Sequence, residues 1–234
     1  MNYSPILDEI STLVIASLPV LELSRYDIEY KSDGSPVTKA DVLLEKLIRA
    51  HLEIKLSALR FVGEESFDFN WEANEGYLAI LDPIDGTENF CSGLKEWGVS
   101  LSLWHGQTHL GSILMMPELG EILKTGDSLV KLHSRITGFS SSYNEKIAQG
   151  ISESIEYRVT GCAVYNLYNV IRGSFARFVN PKGAYVWDLL PGLILALEHN
   201  CEVLLNDEPY DGRLLDPTQK YRVDIQHRYD LHPG

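Results

Sequence analysis

Over residues 6–23 apolar side chains recur every three to four positions, the spacing of a helix that buries one face, and Pro19 marks a kink or an end. After the polar stretch KSDGSPVTK the same spacing returns in Val42, Leu43, Leu44, Leu47, Ile48 and Leu52. Thr38 precedes this second run and Asp41 stands three residues on, which predicts a capping box in which hydroxyl and carboxylate satisfy the free amides of the first turn. Residues 60–62 and 77–81 are short apolar runs suited to strands, and each delivers acids at its carboxyl end, in GEES and DPIDGTENF. Over 97–125 short apolar blocks are broken by HGQ, by Gly111 and by PELG, the pattern of an antiparallel meander. Further on the spacing predicts a helix over 161–171, a strand over 175–179 and a helix over 188–199, with Asn200 as its left-handed cap. Sheets and helices thus alternate in layers, an α/β sandwich. With no repeat or linker, residues 1–234 are expected to form one domain, an α+β half to about 125 and an α/β half from 126 on.

Composition narrows the function. A chain of 234 residues removes about 70 to 75 percent of its unfolded surface from water, so neither disulfide nor structural metal is needed to hold it together. Any metal site is free to serve chemistry. Cys91, Cys162 and Cys201 are an odd set with no CxxC spacing and read as small buried residues. The start, MNYSPILDEISTLV, lacks the basic and small-residue flanks of a signal peptide, and no apolar run has the length of a membrane span, so the expected location is the cytoplasm without a membrane partner. Twenty basic residues against 33 acids give a net charge of −13, which argues against nucleic acid as a partner. The same charge repels a small phosphorylated metabolite unless bound cations invert the local sign.

The informative acids are Asp41, Glu64, Glu65, Asp82, Asp85 and Asp188. In DPIDGT, Pro83 biases Asp82 toward an extended backbone and Gly86 permits a tight turn, so Asp82 and Asp85 can converge on one point with the Ile84 carbonyl between them. Oxygen ligands of this kind suit magnesium. If Gly86 and Thr87 open a helix, their amides face the same point and can hold a phosphate oxygen. Taken singly the pieces are ordinary: Asp41 a cap, Glu64 and Glu65 a solvated loop, Asp188 an N-cap, and Asp-Pro-x-Asp-Gly a surface turn. A calcium loop of the EF-hand kind fails on Leu81 and Pro83. His105 and His109 have the spacing of helical metal ligands, but Gly106 favours a hairpin and a structural role. No GxSxG, GxGxxG or GxxxxGK[ST] occurs.

In combination, PVTKAD, GEES, LDPIDGTENF and WDLLPG stand in the order of the inositol monophosphatase family, which the chain resembles from Asp41 to about Val203. The resemblance implies a layered α-β-α-β-α sandwich and Mg²⁺-dependent hydrolysis of a small phosphate monoester, inositol- or sugar-phosphate-like, by activated water. It implies one metal on Glu64, Asp82 and the Ile84 carbonyl, a second on Asp82, Asp85 and Asp188, and a third, weaker one near Glu64. Thr87 and Asp41 would position the attacking water, with Glu65 in support. Gly86, Thr87 and Gly161 would contact substrate. A homodimer and lithium sensitivity are implied as well. The chain departs from the pattern in three places. The stretch 121–158 is short, so strands of the second half are expected to be missing, and Pro191 follows the WD pair, early in its helix. Pro181 stands where inositol phosphatases carry an acid that contacts the polyol, with Lys182 beside it as a candidate contact for a second phosphate. The alternatives are a 3′(2′),5′-bisphosphate nucleotidase, a histidinol-phosphate phosphatase, a fructose-1,6-bisphosphatase, or a degenerate metal-binding regulatory protein.

Overall fold

The strand predicted over 77–81 runs on to Asp85, is buried on both faces and sets the order of the layers. Its alternate residues go to different cores: Ala79 and Leu81 to one, Leu78 and Ile80 to the other. The computed structural model describes residues 3–71, 75–141 and 144–228; the first two residues of the segment read above for a leader, and the last six of the expected domain, lie outside these.

The elements in chain order are α1 (Ser4–Leu23), β1 (Ile28–Tyr30), β2 (Pro36–Thr38), α2 (Lys39–Lys55), β3 (Arg60–Gly63), β4 (Tyr77–Asp85), α3 (Thr87–Cys91), β5 (Gly98–His105), β6 (Thr108–Met116), β7 (Glu121–Lys124), β8 (Ile136–Phe139), α4 (Glu145–Glu153), β9 (Glu156–Val159), α5 (Ala163–Arg172), β10 (Arg177–Ala184), α6 (Val186–Glu198), β11 (Glu202–Leu205), β12 (Glu208–Pro209) and β13 (Tyr221–Gln226). β1 and β2 form a two-stranded ribbon, and the first large sheet runs β3-β4-β5-β6-β7. Only its β3–β4 pairing is parallel; the rest is the antiparallel meander expected over 97–125. The second sheet runs β12-β11-β13-β10-β8-β9.

Helices α1 and α2 cover one face of the first sheet, where Leu7, Ile10, Val14, Leu44, Ile48 and Leu52 meet Leu81, Leu101 and Ile113. Helices α5 and α6 lie between the sheets, bringing Leu167, Ile171, Leu190 and Leu193 against Ile80 and Leu114 on one side and Phe178, Val203 and Ile225 on the other. Each such fully buried side chain contributes about 1.5 to 3 kcal/mol. At Gly192 a Cβ would lie 2.6 Å from Leu167, so glycine lets α6 close on α5. With α4 on the outer side of the second sheet, the layers are α-β-α-β-α, as the resemblance implied.

Several details correct the sequence reading. The second sheet has six strands, and β8, α4 and β9 occupy the stretch that looked too short to supply them. Pro19 does not end α1, which continues to Leu23; Ile15, whose carbonyl loses its helical donor there, is exposed to water. Helix α6 begins two residues earlier than expected, so Asp188 is its third residue and Tyr185 the N-cap, whose amide the Asp188 carboxylate accepts. Pro191 is therefore the sixth helical residue, inside α6 rather than in its first turn. Strand β10 starts later than expected and runs on to Ala184. Cys162 and Cys201 are buried, but Cys91 is only half-buried. His105 pairs with Thr108 across the hairpin, and His109 contacts Ser112 Oγ at 2.8 Å, with burial holding its imidazole down at about 4.

Candidate active site

The ends of β3 and β4 place the first acids side by side. The parallel pairing continues one residue past Gly63, where the Glu64 amide donates to the Leu81 carbonyl at 3.2 Å, so Glu64 leaves the sheet next to Asp82. Between Asp82 and Asp85 the register with β5 shifts, Asp82 facing Ser100 and Asp85 facing Gly98, and β4 gains one residue at Pro83, which has no amide to give the ladder. The bulge is held by the Ile84 amide, which donates to Asp82 Oδ1 at 3.0 Å. Gly86 then turns the chain into α3 with φ of 80°, and a Cβ there would sit 2.9 Å from that of Cys162. Asp188 arrives from the first turn of α6, its Oδ2 accepting the Tyr185 amide at 2.8 Å.

Carboxylate oxygens of Glu64, Asp82 and Asp188 lie within 4.8 Å of one another. Asp82 is almost fully buried, and its Oδ2 has no hydrogen-bond partner among the described residues. Asp85 stands beside this trio but spends Oδ2 on the Cys162 thiol, at 2.9 Å, and on the Val164 amide. Burial, and after it the Glu64 charge, pushes the Asp82 and Asp188 carboxyls well above the usual carboxylate range. Burial lifts Asp85 to about 6 despite its two donors. So many acids in so little water cannot all ionise unless a cation joins them.

A second group borders the first. The Thr87 hydroxyl is 3.0 Å from the Ile84 carbonyl and 3.2 Å from Asp41 Oδ1, and its single proton can serve only one of them at a time. Asp41 Oδ2 takes the Thr38 amide at 2.7 Å, the capping box read from the sequence, and burial raises its carboxyl. Glu65 is raised to about 7 by burial and by Glu64, and its amide donates to Glu45 Oε2 at 3.0 Å. The carbonyl of Gly161 lies against Gly86, and Asn89 Nδ2 ties α3 to the same loop by donating to the Glu96 and Thr160 carbonyls, each at 2.7 Å. Asp85, Ser140, Ser141, Gly161, Asn166 and Asn180 line a recess of about 120 Å³.

The structure thus brings together Asp41, Glu64, Glu65, Asp82, Ile84, Asp85, Gly86, Thr87, Gly161 and Asp188. Lys182 is exposed and makes no hydrogen bond or ion pair among the described residues. Pro181 beside it lines a groove of about 620 Å³ on the outer face of the second sheet, with Arg177 and Val179. Sequence reasoning missed Lys31, whose ammonium is 2.9 Å from both Glu64 Oε1 and Glu65 Oε1. Burial pulls its pKa down, but the two carboxylates together hold it above the usual lysine value. It also passed over the donor role of Cys162. A cation next to GEES in space has no signal in the local pattern, because β2, α2 and β3 lie between them in the chain.

All the convergent donors are oxygens, three of them carboxylates, and one buried lone pair is unused; this set fits a hard divalent cation and not a soft one. A profile of the inositol monophosphatase family matches residues 10–229. The chain belongs to that family. A histidinol-phosphatase of Chlorobaculum parvum is 41% identical over 93 residues, which cover 39% of this chain and 35% of the relative. The chloroplastic bifunctional phosphatase IMPL2 of Arabidopsis thaliana is 26% identical over 188 residues, 71% of this chain and 53% of the relative. This inositol monophosphatase family member therefore spans between a third and about half of those two proteins. Among solved structures, an IMPase/NADP phosphatase complexed with Mg²⁺ and phosphate superposes with a TM-score of 0.80 at 18% identity, over 96% of this chain and 90% of the other, so the two share a fold. No helix among the described residues is long and apolar enough to cross a membrane.

Proposed function

We propose that this family member is a metal-dependent phosphomonoesterase acting on a small soluble substrate. The observation that carries the reading is the gathering of Glu64, Asp82 and Asp188 oxygens within 4.8 Å of one another, with the buried Asp82 Oδ2 unpartnered among the described residues, a place for a cation within a cluster of acids too crowded to ionise without one. Glu64, Asp82 and the Ile84 carbonyl would hold one Mg²⁺ and Asp82, Asp85 and Asp188 a second, with a third weakly held near Glu64. When bound, the ions neutralise the carboxylates, lower the pKa of a coordinated water and offset charge on the departing oxygen.

The chain's own residues do the rest. Thr87 and Asp41, already within hydrogen-bond distance, orient the attacking water. Its oxygen bonds to phosphorus as the ester P–O bond breaks; one water proton passes by way of Thr87 to Asp41, whose raised pKa suits it to receive one, and the departing alkoxide takes a proton from solvent. Gly86 and Thr87 amides at the start of α3, with Gly161 opposite, hold phosphate oxygens. Glu65 and Lys31 brace Glu64 from behind.

The motif wording alone points to a polyol or sugar alcohol as leaving group. A bisphosphorylated nucleotide or sugar met by Lys182 ranks behind it on the same wording. The resemblance adds a homodimer inhibited by lithium at the second site, and the sequence pattern adds a cytoplasmic location. Phosphate release from a panel of phosphomonoesters, in Mg²⁺ and in EDTA, tests the reading: activity should require the metal, and full activity in EDTA would contradict it.

A further inference from the structure

The outer face of the second sheet is covered only in part. Helix α4 packs on β8, where Ile147 is buried and a Cβ at Gly150 would lie 2.8 Å from the Phe139 ring. Beyond it a groove of about 620 Å³ remains, floored by outward residues of three neighbouring strands: Thr137 of β8, Arg177 and Val179 of β10, and Arg222 and Asp224 of β13. Strand β10 divides this groove from the acid cluster, because Val179 and Pro181 line the groove while the alternate residues Phe178 and Asn180 line the recess beside Asp85.

The charge of the groove runs against that of a chain with 33 acids and 20 bases. Arg135, Lys146, Arg177 and Arg222 line it against Glu153, Asp207 and Asp224. Two of the acids are spent, Asp224 accepting from Arg177 Nε at 2.7 Å and Asp207 from Arg222 Nη2 at 2.6 Å. Glu153 accepts the Gln149 side-chain amide at 2.8 Å. The side chains of Arg135 and Lys146 are exposed and have no partner among the described residues. They reach the groove from separate elements, the coil before β8 and the first turn of α4.

We propose that this groove is a second ligand site, which takes a polyvalent phosphate on Arg135 and Lys146. Both unspent cations offer charge-assisted N–H donors, and the planar guanidinium can meet two phosphate oxygens at once. Asp207 and Asp224, which would repel such a ligand, are neutralised by Arg222 and Arg177. The volume lies within the range of small-molecule sites. The inference goes beyond the phosphomonoesterase reading and does not depend on it, since the acid cluster attracts phosphate only with cations bound and the groove needs none.

Titration calorimetry of pyrophosphate into metal-free protein at low ionic strength tests this. The wild type should bind one pyrophosphate per chain. Arg135→Gln and Lys146→Gln should each weaken binding about ten-fold, the worth of a charge-assisted hydrogen bond. Glu153→Gln should tighten it, by removing the one acid of the groove that no cation neutralises. Lys46→Gln, on α2 in the opposite outer layer, should leave it nearly unchanged. No binding, affinity unaltered in both groove variants, or an equal loss in Lys46→Gln would overturn the inference. ADP in place of pyrophosphate separates two sources of the same chemistry: tighter, Arg135-dependent binding of ADP assigns Val179, Pro181 and Ile155 to an organic group, and equal affinities assign the site to free polyphosphate. Pyrophosphate binding in a protein that releases no phosphate in Mg²⁺ would sustain the groove and sink the phosphatase reading alone.

Discussion

The hydroxyl of Ser100 donates to the backbone carbonyl of Trp187 at 2.5 Å, supplying the hydrogen bond that Pro191 cannot. Pro191 lies four residues after Trp187 in α6, so the carbonyl it leaves unbonded is buried, one residue before Asp188. A strand of the first sheet thereby holds the helix turn that delivers a proposed metal ligand. Ser100→Ala should cost about 1 to 3 kcal/mol, the penalty for stranding a buried acceptor. In Pro191→Ala, where the helix regains its own donor, the same change should cost less. Urea unfolding of both single variants and the double variant gives the coupling, and strict additivity would contradict this account.

Metal-free protein should lose stability as the pH rises. Glu65 is held at about 7 and Asp85 at about 6, chiefly by burial, and Asp82 and Asp188 are shifted the same way, whereas unfolded carboxyls titrate near 4. Between about pH 4 and 7 the folded chain thus binds more protons than the unfolded one, and the stability this provides at the acid end is lost as the pH passes the folded values. Glu65 alone contributes on the order of 3 kcal/mol to that difference. In EDTA the melting temperature should be lower at pH 8 than at pH 5, less so in Glu65→Gln, and Mg²⁺ should restore it mainly at pH 8. A melting temperature in EDTA that rises over this interval would refute the charge crowding.

Thr87→Ala should lower kcat much more than it changes KM, because a hydroxyl that orients the attacking water acts in the transition state. Thr87→Ser, which keeps the hydroxyl, should retain most of the rate. Steady-state kinetics on one phosphomonoester decides it, and an unchanged kcat in Thr87→Ala would remove Thr87 from the proposed mechanism.

What the sequence revealed was local. The capping box at Thr38 and Asp41, the two-faced strand β4 and the turn at Gly86 follow from short-range rules of capping, burial and chirality, and each was readable. The acids could be gathered into one site because strand ends and a helix start deliver them, and because family wording fixed their order. What stayed hidden depends on separation in the chain. Lys31 meets Glu64 across 33 positions, with β2, α2 and β3 between them, and Phe69 meets Tyr185 across 116 positions. The second sheet was underestimated for a different reason, since β8 and β9 are four-residue strands too short to show a period. Pro191 looked harmless because the start of α6 was placed at the acid and not at Tyr185.

Whether the acid cluster holds the cations is tested most directly by equilibrium binding of Mn²⁺, counted by electron paramagnetic resonance, in the wild type and in Asp82→Asn. Asp82 is the carboxylate with the unused buried oxygen and, in the proposed arrangement, the ligand common to both principal ions. The wild type should bind at least two ions, and Asp82→Asn should lose them while melting no lower than the metal-free wild type, since it also removes one of the mutually repelling charges. Binding of Mn²⁺ that is unchanged in Asp82→Asn would place the metal elsewhere and contradict the site.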